Sequence, residues 1–256
     1  MRRKKIIIGN WKMNPLTGIE AEKVFSGIAK KLPSLKRTEV VICPPAIFLE
    51  RLKKIRTTKV KLGAQNAFYG EKGAFTGEVS AEMLYVFDIK YVILGHSERR
   101  VMGESNKEIN KKVKAALFAG LAPILCVGER ERDENHEYLN IVKRDIEECL
   151  AGVNKNSLSK MVIAYEPVWA LSSTAGRHDF IPSEFLEIKI FIKKVLSGFF
   201  GAKTDLPRII YGGSARPDNA SEFINEGEAD GLLPGRDSLD PDKFVEIVKI
   251  CEALGN

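Results

Sequence analysis

Cysteine is scarce in this 256-residue chain: Cys43, Cys126, Cys149 and Cys251 lie far apart, with no CxxC pair and no Cys/His cluster. This argues against both a disulfide framework and a zinc site, and it makes a reducing cytoplasm the simplest location. Long apolar runs are also missing. After the basic opening Met1-Arg2-Arg3-Lys4-Lys5 the apolar stretch ends at Gly9, short of the about 7–15 residues of a signal core, and nothing reaches membrane-spanning length. No Pro/Ser/Gly-rich linker, low-complexity tract or shift in composition divides the chain, so residues 1–256 read as a single domain with a large core. Charge of one sign is in only modest excess, 40 Lys+Arg against 34 Asp+Glu for a net +6 and a pI near 9.0. The charges are dispersed along helix-like segments and no aromatic-basic platform accompanies them, which reads as a solvated surface and not a nucleic-acid face. A small anionic substrate is the only partner hinted at.

What the chain does have is three short apolar runs that each deliver one reactive side chain. Ile6-Ile7-Ile8 leads into Gly9-Asn10-Trp11-Lys12, Tyr91-Val92-Ile93-Leu94 into Gly95-His96-Ser97-Glu98, and Met161-Val162-Ile163-Ala164 into Tyr165-Glu166-Pro167-Val168-Trp169. Runs this short and β-branched suit parallel strands buried on both faces. A lysine, a histidine and a glutamate at three strand ends describe an active site at the carboxyl end of such a sheet. Further runs at Val40–Cys43, Val60–Gly63, Pro123–Val127, Arg208–Tyr211 and Gly231–Leu233 bring the strands to eight. Helices are expected at Ile19–Leu32, Asn106–Phe118, Glu137–Leu150, Ser183–Leu196, Ala220–Glu226 and Pro241–Leu254, several opening on a capping or N1 residue. Eight βα units favour an α/β fold of the (β/α)8 barrel type, with a doubly wound sheet as the alternative because closure is not visible in a sequence.

Seven segments, in order, resemble triosephosphate isomerase from end to end. They are Gly9–Asn14, Gly63–Asn66, Gly73–Glu78, Gly95–Arg100, Leu125–Glu129, Ala164–Ala170 and Tyr211–Ser214. The resemblance implies interconversion of dihydroxyacetone phosphate and D-glyceraldehyde 3-phosphate through an enediolate, a step of glycolysis and gluconeogenesis that needs no metal or cofactor. It implies Glu166 as the base, made stronger once Val168 and Trp169 desolvate it. His96 would be the electrophile. The Ser97-Glu98-Arg99 helix start would keep its ring neutral, the tuning for which this family is the standard example. Lys12 would supply fixed positive charge at the phosphate and the enediolate oxygen, with Asn10 orienting the substrate. Phosphate binding falls by resemblance to the backbone around Tyr211-Gly212-Gly213-Ser214 and Gly235. Supporting positions are Glu98 beside Lys12, Ser97, Cys126 and Tyr211, with Tyr211 and Ser214 also pinning a closed lid. The two other histidines, His136 and His178, lie in polar stretches and read as surface residues.

Two departures stand out. Relatives show Val-Gly-Gly-Ala-Ser where this chain has Pro234-Gly235-Arg236-Asp237-Ser238. Arg236 is harmless at negative φ but would cost roughly 1–2 kcal/mol in a left-handed conformation. It either adds charge beside the phosphate or forms an exposed pair with Asp237 worth under about 1 kcal/mol. The second departure is the lid, expected at Leu171–Phe180 with about three residues more than usual, at a closure cost of about 0.3 kcal/mol. Ser172 replaces the glycine whose amide meets the phosphate, and losing that bond would cost roughly 1.5–3 kcal/mol. The altered lid also puts the partners of Tyr211 and Ser214 in question. Between Arg100 and Gly103 one residue is missing relative to the family, so a local shift is expected there.

The Gly73–Glu78 segment resembles the loop by which family members dock into a second subunit, which implies a homodimer in which Thr76 braces Asn10 of the partner. The substrate would be a triose phosphate, with neither nucleic acid nor membrane as partner. Two alternatives stand beside this reading: a catalytically weakened member acting as a binding protein, and a barrel isomerase for another sugar phosphate.

Overall fold

The computed structural model describes residues 3–133, 135–170 and 180–254. Its strands are β1 (Lys5–Asn10), β2 (Thr38–Cys43), β3 (Lys61–Ala64), β4 (Tyr91–Leu94), β5 (Ala122–Val127), β6 (Val162–Tyr165), β7 (Arg208–Tyr211) and β8 (Gly231–Leu232). They pair in parallel and in chain order, and β8 returns to β1 through Ile6 opposite Gly231 and Ile7 opposite Leu232, which closes the barrel. The expectation of a (β/α)8 barrel holds, and the doubly wound alternative is excluded by that closing pair.

Alternation along β1 shows why the strands read as unbroken apolar runs. Ile6 and Ile8 point inward to meet Val41, Ile93, Ile124 and Ile210, while Ile7 points outward into the layer shared with the helices. Both faces are buried, so neither can be polar.

Among the described residues the helices are α1 (Gly18–Lys31), α2 (Leu49–Lys53), α3 (Ala81–Val86), α4 (Ser97–Val101), α5 (Asn106–Ala119), α6 (Tyr138–Cys149), α7 (Pro182–Phe200), α8 (Pro217–Asn225) and α9 (Pro241–Leu254). α1 and α5 each open on a reciprocal capping box, Thr17 with Glu20 and Ser105 with Glu108, and α5 stops at Gly120 with φ +92°. α7 and α8 begin on Pro182 and Pro217. The short helices α2 and α3 were not expected. Each spans fewer than two turns, too few for an apolar period to emerge.

At the amino-terminal mouth of the barrel four polar side chains meet. Glu39 on β2 accepts hydrogen bonds from Lys61, from the Tyr91 hydroxyl at 2.8 Å and from Arg208 Nη1 at 2.8 Å, and Arg208 Nη2 also donates to the Tyr91 hydroxyl at 3.2 Å. Burial alone would raise the Glu39 carboxyl, but these three donors outweigh it and bring its pKa down to about 2. Burial pushes the Tyr91 phenol up to about 12.

Candidate active site

The opposite, carboxyl end carries the reactive residues. β1 ends at Asn10, and the chain then turns sharply. Trp11 is wholly buried and its indole N–H donates to the Ser238 carbonyl at 3.0 Å. Lys12 takes φ +52°, a left-handed conformation that lysine seldom adopts. It is held there from both sides: its N–H donates to Asn10 Oδ1 at 3.0 Å, and its carbonyl accepts from Gln65 Nε2 at 2.8 Å. The same Gln65 nitrogen donates to the Cys43 carbonyl, also at 2.8 Å, so the ends of β1, β2 and β3 are stitched together beneath the lysine. Lys12 Nζ forms an ion pair with Glu98 Oε1 at 2.6 Å.

After β4, Gly95 turns with φ +69° and His96 caps α4. The His96 Nδ1 accepts the Glu98 backbone N–H at 3.2 Å, which requires that nitrogen to be bare. The ring proton therefore resides on Nε2, which faces Glu166 Oε1 at 3.3 Å. This local bond fixes the tautomer more directly than the dipole of so short a helix.

Glu166 follows β6 and is almost fully buried. Its N–H donates to the Val127 carbonyl at 2.8 Å, and its Oε2 accepts the Ser97 N–H at 3.1 Å. Oε1 has no hydrogen-bond donor among the described residues, since His96 Nε2 is near it without forming a hydrogen bond. Two glycines make room for this residue. A Cβ on Gly128 would sit 1.9 Å from the Glu166 carbonyl oxygen, and one on Gly212 would sit 2.9 Å from Glu166 Cγ. Below the carboxylate lies Cys126, whose thiol is pushed well above its ordinary range by burial and by the Glu166 charge.

β7 and β8 supply the remaining wall. The Tyr211 hydroxyl accepts the Ser214 N–H at 3.1 Å, the Ser214 Oγ donates to the Ala170 carbonyl at 3.3 Å, and Asn219 Nδ2 donates to the Ser214 carbonyl at 3.0 Å. These bonds fold the 212–214 turn over the Tyr211 ring. The result is a cleft of about 350 Å³ into which Lys12, His96, Glu166, Ser214, Gly235 and Arg236 all face.

A family model described as triosephosphate isomerase matches residues 5–251. The chain is 41% identical over 251 residues to the triosephosphate isomerase of Dictyoglomus thermophilum, covering 96% of this chain and 99% of the relative. It is 41% identical over 248 residues to that of Aquifex aeolicus, covering 96% and 98%, and 42% identical over 253 residues to that of a Thermoanaerobacter species, covering 96% and 99%. The chain belongs to the triosephosphate isomerase family.

Among the positions that the triosephosphate isomerase resemblance singles out, Lys12, His96 and Glu166 share the cleft with Asn10, Ser214, Gly235, Arg236 and Glu98. Ser97 lies behind Glu166 through its N–H, and Cys126 and Tyr211 are buried beneath the site. Thr76 is exposed on its own loop. Ser172, His178 and the rest of the lid segment 171–179 lie outside the described residues, whereas His136 is exposed. Arg236 opens a 3-10 turn (Arg236–Leu239) without a positive φ, so the left-handed penalty does not arise. It does not pair with Asp237, which faces Lys243 at 3.7 Å.

The part played by one residue near the end of β6 was not read from the sequence. Glu129, wholly buried, accepts from the Tyr165 hydroxyl at 2.7 and 2.8 Å and from the Trp169 indole at 2.8 Å, while Arg132 Nε approaches at 3.2 Å. Arg132 also packs over the Tyr138, Trp169 and Phe180 rings and reaches Glu184 at 2.6 Å. The sequence marked Glu129 only as the end of the family-like segment Leu125–Glu129, two places beyond the apolar run of β5, with no sign of the hub it forms.

Proposed function

We propose that this chain interconverts dihydroxyacetone phosphate and D-glyceraldehyde 3-phosphate. One observation carries the assignment of roles: Glu166, His96 and Lys12 converge from three strand ends on one cleft, and Glu166 Oε1 has no donor among the described residues. Glu166 Oε1 takes the proton from the carbon next to the substrate carbonyl. The electron pair moves onto the carbonyl oxygen, where the Nε2–H of neutral His96 and the charge of Lys12 stabilise it. The hydroxyl proton on the first carbon's oxygen passes to the enediolate oxygen, relayed by His96, and as the new carbonyl forms at that first carbon the protonated Glu166 returns its proton to the neighbouring carbon. The 212–214 turn, Gly235 and Arg236 supply amides and charge for the phosphate. Steady-state conversion of glyceraldehyde 3-phosphate by the purified chain tests this reading, with Glu166→Asp as control. Turnover that collapses in the variant supports it, and a folded wild-type chain without turnover overturns it.

A homodimer belongs to the same proposal. Phe75, 47% exposed, stands on the glycine-rich loop 73–78, and the exposed Met13 and Met102 line one hollow with Gly77 and Glu78 of that loop. Thr76 of one subunit would then brace Asn10 of the other. Among the described residues no helix is long and apolar enough to cross a membrane, which accords with the cytoplasmic location proposed for the enzyme.

A further inference from the structure

The positive charge that looks dispersed along the sequence converges in the fold. At the amino-terminal end of the barrel, opposite the active-site cleft, a groove of about 900 Å³ is lined by eight Lys/Arg and three Asp/Glu. Outside it the chain has thirty-two basic residues against thirty-one acidic, close to neutral, so nearly the whole net +6 belongs to this one groove.

Half of the groove's cations are engaged. Arg3 pairs with Asp205, Arg208 with Glu39, Lys189 with Asp230 at 3.4 Å, and Lys5 donates to the Ala229 carbonyl at 2.6 Å. The side chains of the other four, Lys4, Lys36, Arg37 and Lys193, meet no acceptor among the described residues. They come from three separate segments: the lead into β1, the α1–β2 connection and α7. The connection is held in place because the Lys36 and Arg37 amides both donate to Glu252, at 2.7 and 3.1 Å. One of them, Lys193, is felt by its neighbour Lys189. Burial, and after it the charge of Lys193, lowers the proton affinity of Lys189, although Asp230 opposes the shift.

We propose that this groove binds a triphosphate group, carried either by a nucleoside triphosphate or by free tripolyphosphate. Four cations without acidic partners match the charge of about −4 on such an anion, and their spread over three segments suits an extended anion better than a single phosphate. The volume is that of a small-molecule site. Leu206, Pro207, Ile224 and Leu254 form an apolar wall that could seat a nucleoside. A nucleic-acid strand fits less well, because the floor carries Asp205, Glu228 and Asp230 and no aromatic ring lines the groove. This site is independent of the isomerase reading.

Titration calorimetry on the full chain at low salt, without magnesium, tests the proposal with tripolyphosphate, ATP and orthophosphate. The expected result is one site per chain for the first two, at least about tenfold tighter than for orthophosphate. Lys36→Glu with Arg37→Glu, and separately Lys193→Gln, should each weaken tripolyphosphate binding, by at least about tenfold for the double reversal. Melting temperature would certify their folding, and triose phosphate turnover should stay unchanged. ATP binding tighter than tripolyphosphate assigns the apolar wall to a nucleoside, and equal binding assigns the site to the anion alone. Absence of binding at millimolar ligand overturns the proposal. So does binding that survives the substitutions and competes with triose phosphate, which would place it in the active-site cleft, or tighter binding of a short oligonucleotide.

Discussion

His96 Nε2 lies 3.3 Å from Glu166 Oε1, and that oxygen accepts no hydrogen bond from the described residues, whereas its sister Oε2 takes the Ser97 N–H. The carboxylate is anchored through one oxygen and presents the other to the cleft. The Glu166→Asp change withdraws the reactive oxygen by roughly one bond length. A displacement of that order costs about a hundredfold in kcat, with KM little altered, as steady-state kinetics on both proteins would show. Equal kcat in variant and wild type would remove Glu166 from the proton transfer.

Lys12 is expected to combine strain with charge. At φ +52° a glycine is at ease and an alanine is not, so Lys12→Gly should resist urea by about 1 kcal/mol more than Lys12→Ala. Both variants should lose nearly all turnover. Equal stability of the two would show that the backbone at this position stores no strain.

Stability should fall in acid through Glu39. Its pKa is lowered from the model-compound 4.5 to about 2 in the folded chain, so its contribution is complete above about pH 4.5 and disappears as the pH drops towards 2. Glu39→Gln should be less stable than wild type by roughly 2 kcal/mol at pH 6, a figure discounted for partial solvent screening. The gap should narrow steadily in denaturant titrations taken from pH 4.5 downward. A gap that stays constant with pH would assign the loss to packing.

Arg236, exposed and paired with no carboxylate among the described residues, should act on binding more than on chemistry. Replacing it by glycine is expected to raise KM about threefold to tenfold, the effect of roughly 1 kcal/mol, and to leave kcat nearly unchanged. The rise should shrink as salt is added. An unchanged KM at low salt would leave Arg236 without a part in phosphate binding.

Phe75→Glu places a charge where the proposed interface requires an apolar ring. Sedimentation should then report monomers, and specific activity should fall by at least about tenfold at dilute protein concentration. A fully active monomer would refute the dimer and the bracing role of Thr76 together.

The barrel could be read from the sequence because burial on both faces leaves strands such as Ile6–Ile8 and Tyr91–Leu94 no polar positions, and because Lys12, His96 and Glu166 stand directly at strand ends. Relationships made by closure could not be read. Gln65 gives no local sign that its amide ties Lys12 to Cys43, and Glu129 looks like any acidic residue after a strand until Tyr165, Trp169 and Arg132 fold around it. The basic groove was hidden for the same reason. Residues 3–5, 36–37, 189, 193 and 208 are neighbours only once the barrel closes and brings the starts of β1, β2 and β7 and the helix α7 to one end.

The bond from the Trp11 indole to the Ser238 carbonyl joins residues 227 positions apart, immediately before the lysine of the site. During synthesis the first catalytic side chain is made almost at once and its bonds to Asn10 and Gln65 come early, yet the indole beneath its turn has no acceptor until the final helix is about to emerge. A growing or truncated chain that stops short of Ser238 can hold all three reactive residues and still lack the bond that seats Trp11 beneath Lys12. The first part of the site to be made is thus among the last to be finished.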